Sequence, residues 1–386
     1  MTHQATVSRL GSLPAHGRVS RLPSLTGARF IAAVLVFLFH SMAVYPLVSP
    51  GAHQTQTSLF SQAGFTGVTF FFVLSGFVLT WAMRPKDTAA KFWRRRFFKI
   101  YPIHLLTFTA MTTLLALAGP VPRAMITKTT FTGGNALLNL LLLQSWSPDL
   151  AVRTSFNVVA WSLSCEALFY LAFPLVIKLV NKVPNERLWF ATIISGASVI
   201  SLPAFVARVQ GGVEFPGQGY TDRQLWVAFH FPPLQLLTFV FGIFLAKIVL
   251  TGQRLPLKLG GAIALSVGAY FVTPLFGPLY RFSAVMVIPL GLLVAAAAAA
   301  DVDRLPTFLG SKVMVWFGEI SFAFFMWHFI VLSYGHQFLG NGDDWNTPTA
   351  ISVTVLLFAV AVALSWATFT FVERPIMRRF ATSRRA

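Results

Sequence analysis

Arg29 and His40 stand eleven positions apart in TGARFIAAVLVFLFHSM, residues 26–42, a run that is otherwise apolar. Ionisable groups are costly in lipid, so two of them in one such run need a reason. Eleven residues on an α-helix turn through ~1100°, within about 20° of three full turns, and rise ~16 Å. The two side chains therefore share one face, with the guanidinium at the edge of a spanning helix and the imidazole slightly past its midplane. That arrangement suits a reaction that holds an anion at one level and moves a proton at another. Two plainer roles stay open: a snorkelling anchor for Arg29 and an interhelical hydrogen bond for His40.

A carboxylate joins them in WSLSCEALFY, 161–170, where Glu166 is the one acidic residue of its helix. Counted inward from an outer boundary at 157, Glu166 falls at the depth of His40. There it would orient the imidazole and stabilise its charged form. A buried ion pair that only fixes packing is the alternative. KFWRRRFFKIYP, 91–102, brings Lys91, Arg94, Arg95, Arg96 and Lys99 to the start of a third helix. Such a cluster reads as a topology signal or a lipid contact. It equally suits the phosphates of a large anionic cosubstrate, and Arg96 and Lys99, three apart on one face, are the best placed for that.

Other polar residues have no derived partner. Ser75, in GFTGVTFFFVLSGFVLT at 64–80, lacks an assigned base, and Gly64, Gly67 and Gly76 around it read as close-packing positions. His328 lies near mid-depth in FGEISFAFFMWHFIVL, 317–332, with Glu319 nearer that helix's cytoplasmic end, and His104 is likewise unassigned. The single cysteine, Cys165, allows no intrachain disulfide, and no metal-ligand spacing occurs.

The elements that must carry these residues are membrane helices. The 386 residues are 55% hydrophobic and 11% charged, with a mean hydropathy of +0.68, which excludes an ordinary soluble domain. Spans are expected at 26–47, 60–82, 97–118, 157–180, 188–208, 229–250, 258–276, 282–300, 314–335 and 350–372. The net charge of +18 invites a nucleic-acid reading, but its distribution decides otherwise. With the N-terminus inside, 24 of the 30 Lys and Arg are cytoplasmic, and only Arg123, Lys128, Arg153, Arg208, Arg223 and Arg281 fall outside. The expected fold is an all-α integral membrane protein of ten helices with both termini cytoplasmic, in the inner membrane. A polar tail covers 1–21, the membrane domain 22–375 and a basic tail 376–386. The first hydrophobic run is expected to be retained rather than cleaved. Within the external connection 119–156, the apolar patch NALLNLLLLQSW at 135–146 is too short to span and is expected to be re-entrant or interfacial.

These motifs resemble those of acyltransferase family three. LPSLTGARFIAAVLVFLFH at 22–40 is similar to that family's opening Arg and His, and GVTFFFVLSGF at 67–77 to its second-helix motif. RRRFFKIYP at 94–102 is similar to its Arg-x-x-Arg segment; WSLSCEALFYLAFP, ISFAFFMWH and VERP follow in order. The resemblance implies ten helices and transfer of an acyl group, commonly from acyl-CoA, to a hydroxyl. It also implies functional roles for Arg29, His40, Glu166 and the basic pair. Two positions depart from the pattern: Lys99 replaces the second Arg, losing the planar fork, and Thr69 replaces an acidic residue often found after GV. The chain is expected to lack a fused esterase-like domain. LPSLTGARF, with 21 Arg against 9 Lys, is similar to actinobacterial enzymes that acylate macrolide or ansamycin antibiotics.

The expectation is therefore an O-acyltransferase. Arg29, Arg96, Lys99 and Arg95 would hold the phosphates of cytoplasmic acyl-CoA, in practice acetyl-CoA or another short acyl-CoA. His40 would take the acceptor hydroxyl's proton, and Glu166 would orient His40. Nothing is bound permanently; the partners are acyl-CoA, a hydroxylated small molecule or sugar, and the bilayer. Acylation of an envelope or exported glycan is one alternative. A proton-coupled transporter using Arg29, His40 and Glu166 as a relay is another, though no internal repeat is present.

Overall fold

The computed structural model describes residues 21–44, 59–83, 87–121, 131–340 and 345–381. The expectations for residues 1–20 of the N-terminal tail and for Arg123 and Lys128 lie outside these residues.

The described residues form helices α1 (Pro23–Phe39), α2 (Ala63–Trp81), α3 (Ala89–Ala118), α4 (Gly133–Leu140), α5 (Trp161–Val180) and α6 (Leu188–Val206). After these come α7 (Pro232–Leu250), α8 (Leu259–Val272), α9 (Val287–Val302), α10 (Lys312–Gly340) and α11 (Thr347–Thr368). No strand forms among the described residues, where Glu214 and Thr221 make an isolated bridge and Trp345 holds another bridge position. Among the described residues, eight helices are long and apolar enough to cross a membrane. The remaining two of the expected ten, at 259–275 and 287–302, are apolar but shorter. Sixteen residues of α9 rise ~24 Å, less than the ~30 Å of a hydrocarbon core. α3 starts at Ala89, eight residues before the expected boundary, so its basic residues ride on its first three turns.

Two helix crossings set the geometry around the site. A Cβ on Gly76 would lie 1.9 Å from the Phe239 carbonyl oxygen, and one on Gly242 would lie 2.0 Å from that of Val73. α2 and α7 thus meet backbone to backbone, which lets α2 sit enclosed at the centre, with Phe72, Val73 and Phe77 buried. α1 packs between α2 and α10. A Cβ on Gly318 would lie 1.8 Å from the Thr26 carbonyl, so α10 is registered against the first turn of α1.

The start of α1 is capped from a distance. Pro23 at its first turn needs no donor partner, and Leu22 offers no side-chain cap. Asp301, at the end of α9, supplies it: its carboxylate accepts from Ser24 N (2.9 Å) and from Ser24 Oγ (2.6 Å). An acidic group at a helix N-terminus also complements the dipole.

The segment 131–160 folds against the bundle through its polar residues: Asn135, Asn139, Gln144 and Ser145 are buried, while Leu137, Leu141, Leu143 and Trp146 stay exposed. After α4 the chain turns through Leu142 and later Phe156, both at positive φ and both buried. Its non-helical backbone is paired by side chains: Ser164 Oγ donates to the Leu142 carbonyl (2.5 Å) and the Trp226 indole to that of Ser145 (2.9 Å). Gln144 Nε2 and Ser145 Oγ donate to the carbonyls of Ala160 and Trp161. Irregular backbone is tolerated at such depth only when enclosed by protein in this way. Arg153 is wholly buried here, donating to the carbonyls of Pro148 and Asp222. Burial pushes its guanidinium down to about 10.

Candidate active site

α1 ends at Phe39, and His40 opens a π-helical turn that runs to Val44. Such turns widen a helix by one residue and recur at functional sites. Here the turn lies beside α10, and His40 Nδ1 sits 3.1 Å from His328 Nε2. Both rings are buried, His328 completely.

The surrounding carbonyls fix the tautomers, because a carbonyl only accepts. His328 Nδ1 lies 2.7 Å from the Phe325 carbonyl and therefore carries the proton. Its Nε2 is left with a lone pair, which faces His40. His40 Nδ1 lies 2.9 Å from the Val36 carbonyl as well as 3.1 Å from His328 Nε2, so it carries a proton shared between two acceptors. His40 Nε2 then holds the free lone pair of the dyad. A neutral imidazole so oriented can take a proton, and the His328 lone pair then stabilises the imidazolium. Phe39 and Phe329 stand edge-on to His40 at 5.1 and 5.2 Å between ring centroids, and Phe325 lies 5.7 Å from His328.

Glu166 is brought elsewhere. Its Oε1 accepts from Ser75 Oγ (3.1 Å) and its Oε2 from Tyr170 OH (3.0 Å). No hydrogen bond joins it to His40 among the described residues. It lines a cavity of about 50 Å³ together with Arg29, Val68, Phe71, Phe72 and Phe325. Glu166 thus shares the Arg29 level, and the expected pairing with His40 is replaced by the His328 pairing. The reason lies in the inserted segment: residues 153–157, 159 and 160 are buried beside the first turn of α5, so 157 is not an outer boundary from which to count inward.

Of the four basic residues, two are ion-paired among the described residues and two are not. Arg95 makes a two-pronged pair with Asp87 (Nη1–Oδ1 3.0 Å, Nη2–Oδ2 2.5 Å). Lys99 pairs with the buried Glu373 of the VERP motif, in the π-helical turn that extends α11. Arg96 lies over the rings of Phe92 (5.7 Å) and Tyr170 (6.0 Å), with its buried Nε lacking a partner. Arg29 makes no hydrogen bond or ion pair among the described residues, although it faces the cavity. Two guanidiniums held near one half-buried carboxylate, with no ion pair to it, form a ready anion site. Lys91, Arg94 and Glu319 are exposed. His104 serves the inserted segment, its Nε2 lying 2.9 Å from the Asn139 carbonyl. Thr69 Oγ1 meets Ser283 Oγ at 3.0 Å, a neutral contact where the resembled family often has an acid.

Two residues were not assigned from sequence. His328 was visible as a mid-depth histidine, and the signal for its pairing is the parallel course of α10 beside α1, along which Gly318 meets Thr26 and His328 meets His40. Tyr170 lies one helical turn after Glu166, the spacing at which side chains on one helix meet.

Fold and site together define a multi-pass, all-helical membrane protein with a buried histidine dyad and a cavity lined by Arg29 and Glu166. The Acyltransferase domain model matches residues 22–370, and the chain belongs to that family. It is 40% identical over 371 residues to acyltransferase MdmB of Streptomyces mycarofaciens, covering 94% of this chain and 93% of that one. It is 24% identical over 380 residues to peptidoglycan O-acetyltransferase OatA of Listeria monocytogenes, covering 92% of this chain and 56% of the relative. A putative peptidoglycan O-acetyltransferase, YrhL of Bacillus subtilis, is 23% identical over 385 residues, with 92% and 55% covered. No solved structure matches.

Proposed function

We propose that the protein transfers an acyl group from acyl-CoA to a hydroxyl of a small-molecule acceptor, with His40 as general base. The observation that carries this reading is the hydrogen-bond relay from His40 through His328 to the Phe325 carbonyl, which leaves His40 Nε2 unprotonated. His40 Nε2 takes the proton of the acceptor hydroxyl as its oxygen attacks the thioester carbon. A C–O bond forms, the C–S bond breaks, and the proton passes from His40 to the departing CoA thiolate. His328 steadies the transient imidazolium.

Arg29 and Arg96 hold the donor's phosphates, which is supported by the absence of hydrogen-bonded partners on Arg29 and on Arg96 Nε among the described residues. Arg95 and Lys99 contribute a basic surround whose charge Asp87 and Glu373 already balance. The ~16 Å from Arg29 to His40 separates phosphates from thioester along one helix face. In this reading ten helices lie in the inner membrane with both termini cytoplasmic, so donor enters from the cytoplasm. Family membership favours transfer over proton-coupled transport.

The acceptor reading is a macrolide or ansamycin antibiotic, acylated on a ring hydroxyl. Support comes from the near-complete mutual coverage with the Streptomyces acyltransferase. Relatives named as peptidoglycan O-acetyltransferases support a second reading, an envelope glycan. Incubating the purified protein with acetyl-, propionyl- and longer acyl-CoAs and a panel of hydroxylated polyketides and glycans, while following CoA release, tests both. Esters formed only on glycans would overturn the antibiotic acceptor; absence of acceptor-dependent CoA release would overturn the reaction.

A further inference from the structure

Glu166 is committed neither to His40 nor to a direct ion pair. Four helices converge on it: α1 brings Arg29, α2 Ser75, α3 Arg96, and α5 Glu166 with Tyr170. Ser75 and Tyr170 each donate to a different carboxylate oxygen, at 3.1 and 3.0 Å, which fixes the group's rotation. Tyr170 is itself anchored: its carbonyl accepts from the Trp93 indole (2.9 Å) and its ring underlies Arg96.

An ionised carboxylate has about four acceptor positions, and two are taken here. The side chain also lines the cavity it shares with Arg29, whose other walls include Val68, Phe71, Phe72, Leu163 and Phe325. An acceptor group in so apolar a chamber costs free energy until a donor meets it. Arg29 and Arg96 already supply positive charge, so the complementary partner is a neutral N–H or O–H group. The chamber, about 50 Å³, has room for a small neutral polar group beside the carboxylate. The chamber is lined both by Arg29 and by Phe325, the residue whose carbonyl holds His328, so its walls belong to the phosphate site and to the dyad's support.

We propose that Glu166, held by Ser75 and Tyr170, is the subsite for the amide and hydroxyl of the donor's pantetheine arm. This inference rests on the acyl-CoA reading above. Glu166 is then a binding residue for the carrier; lining one cavity with Arg29 and making no hydrogen bond to the dyad among the described residues, it takes the amide and hydroxyl farther from sulfur. Ser75 and Tyr170 are positioning residues. Passage of the arm also requires Phe71 and Phe325, in edge-to-face contact at 5.7 Å across the chamber, to turn aside.

The test compares three acetyl donors on the purified full chain: acetyl-CoA, acetyl-pantetheine and acetyl-N-acetylcysteamine. The last lacks the distal amide and the hydroxyl; the second lacks only the nucleotide and its phosphates. In the unaltered protein acetyl-pantetheine should exceed acetyl-N-acetylcysteamine in kcat/KM by about 10- to 100-fold, the effect of one hydrogen bond to a charged group. Glu166→Gln should shrink that ratio at least severalfold through KM, with kcat on saturating acetyl-CoA nearly kept. Tyr170→Phe and Ser75→Ala should each shrink it partially, and they stand in for Glu166→Gln should that variant not fold. An unchanged ratio in a folded variant overturns the inference. So does an equal fall in kcat for all three donors, which would mark Glu166 as serving the proton transfer. Arg29→Gln separates the underlying reading: it should collapse the ratio of acetyl-CoA to acetyl-pantetheine, and an intact ratio there would instead overturn the phosphate site.

Discussion

Replacing His328 by Phe isolates what the second histidine contributes. The ring stays, as does its stacking on Phe324 at 6.0 Å and 18°, but both nitrogens go. His40 loses the acceptor 3.1 Å from its Nδ1 while keeping the Val36 carbonyl at 2.9 Å. The required tautomer therefore survives, and only the second acceptor for a developing imidazolium is removed. A hydrogen bond to a charged group contributes about 1.5–3 kcal/mol, which corresponds to a fall in kcat of about 10- to 150-fold at 1.36 kcal/mol per decade. Removing the base itself should cost more, about 100- to 10,000-fold. The assay is acceptor-dependent CoA release by protein in detergent or nanodiscs, with the melting temperature recorded for each variant. KM for acyl-CoA should not change. In the double variant with His40→Gln, the His328 substitution should add almost nothing, since its effect acts through His40. Full activity in His328→Phe, or a loss equal to that of His40→Gln with the two effects multiplying, would refute the relay.

Three further outcomes follow from the packing. Gly318→Ala puts a methyl 1.8 Å from the Thr26 carbonyl; it should destabilise the protein by about 1–3 kcal/mol and raise KM for acyl-CoA by displacing Arg29, measured by thermal melting and kinetics. Asp301→Asn removes the charged acceptor from the start of α1 and should cost about 1 kcal/mol of stability, read as a lower melting temperature. Lys99→Met and Glu373→Gln should each lower the melting temperature, and the double variant should recover much of the loss, because a buried charge is costly chiefly when its partner is missing. A double variant less stable than either single one would contradict that pairing.

The helical architecture was legible in the sequence because lipid imposes a strong rule: long apolar runs become helices, and the positions of Lys and Arg follow the membrane sides. The shared face of Arg29 and His40 was legible too, since helical periodicity alone dictates it. The level of Glu166 was not. It depends on how deeply 141–160 inserts beside α5, and that is decided by tertiary hydrogen bonds from Gln144, Ser145, Ser164 and Trp226 that no local pattern announces. Partner choice was equally hidden. Lys99 and Glu373 lie 274 positions apart, and His40 and His328 lie 288 apart. Only the packing of α1 against α10, set by the close approach at Gly318, brings the two histidines together. The shortness of α8 and α9 was obscured because apolar residues continue past their ends into turns at 273–275 and 278–286.

The most direct test of the central claim is single-turnover transfer with purified protein, acyl-CoA and an acylated-product assay, comparing the unaltered chain with His40→Gln. The account predicts one ester formed per CoA released in the unaltered protein, and a rate at least about a hundredfold lower in a variant that remains folded and still binds acyl-CoA. Transfer at a near-normal rate by the folded His40→Gln protein would contradict it.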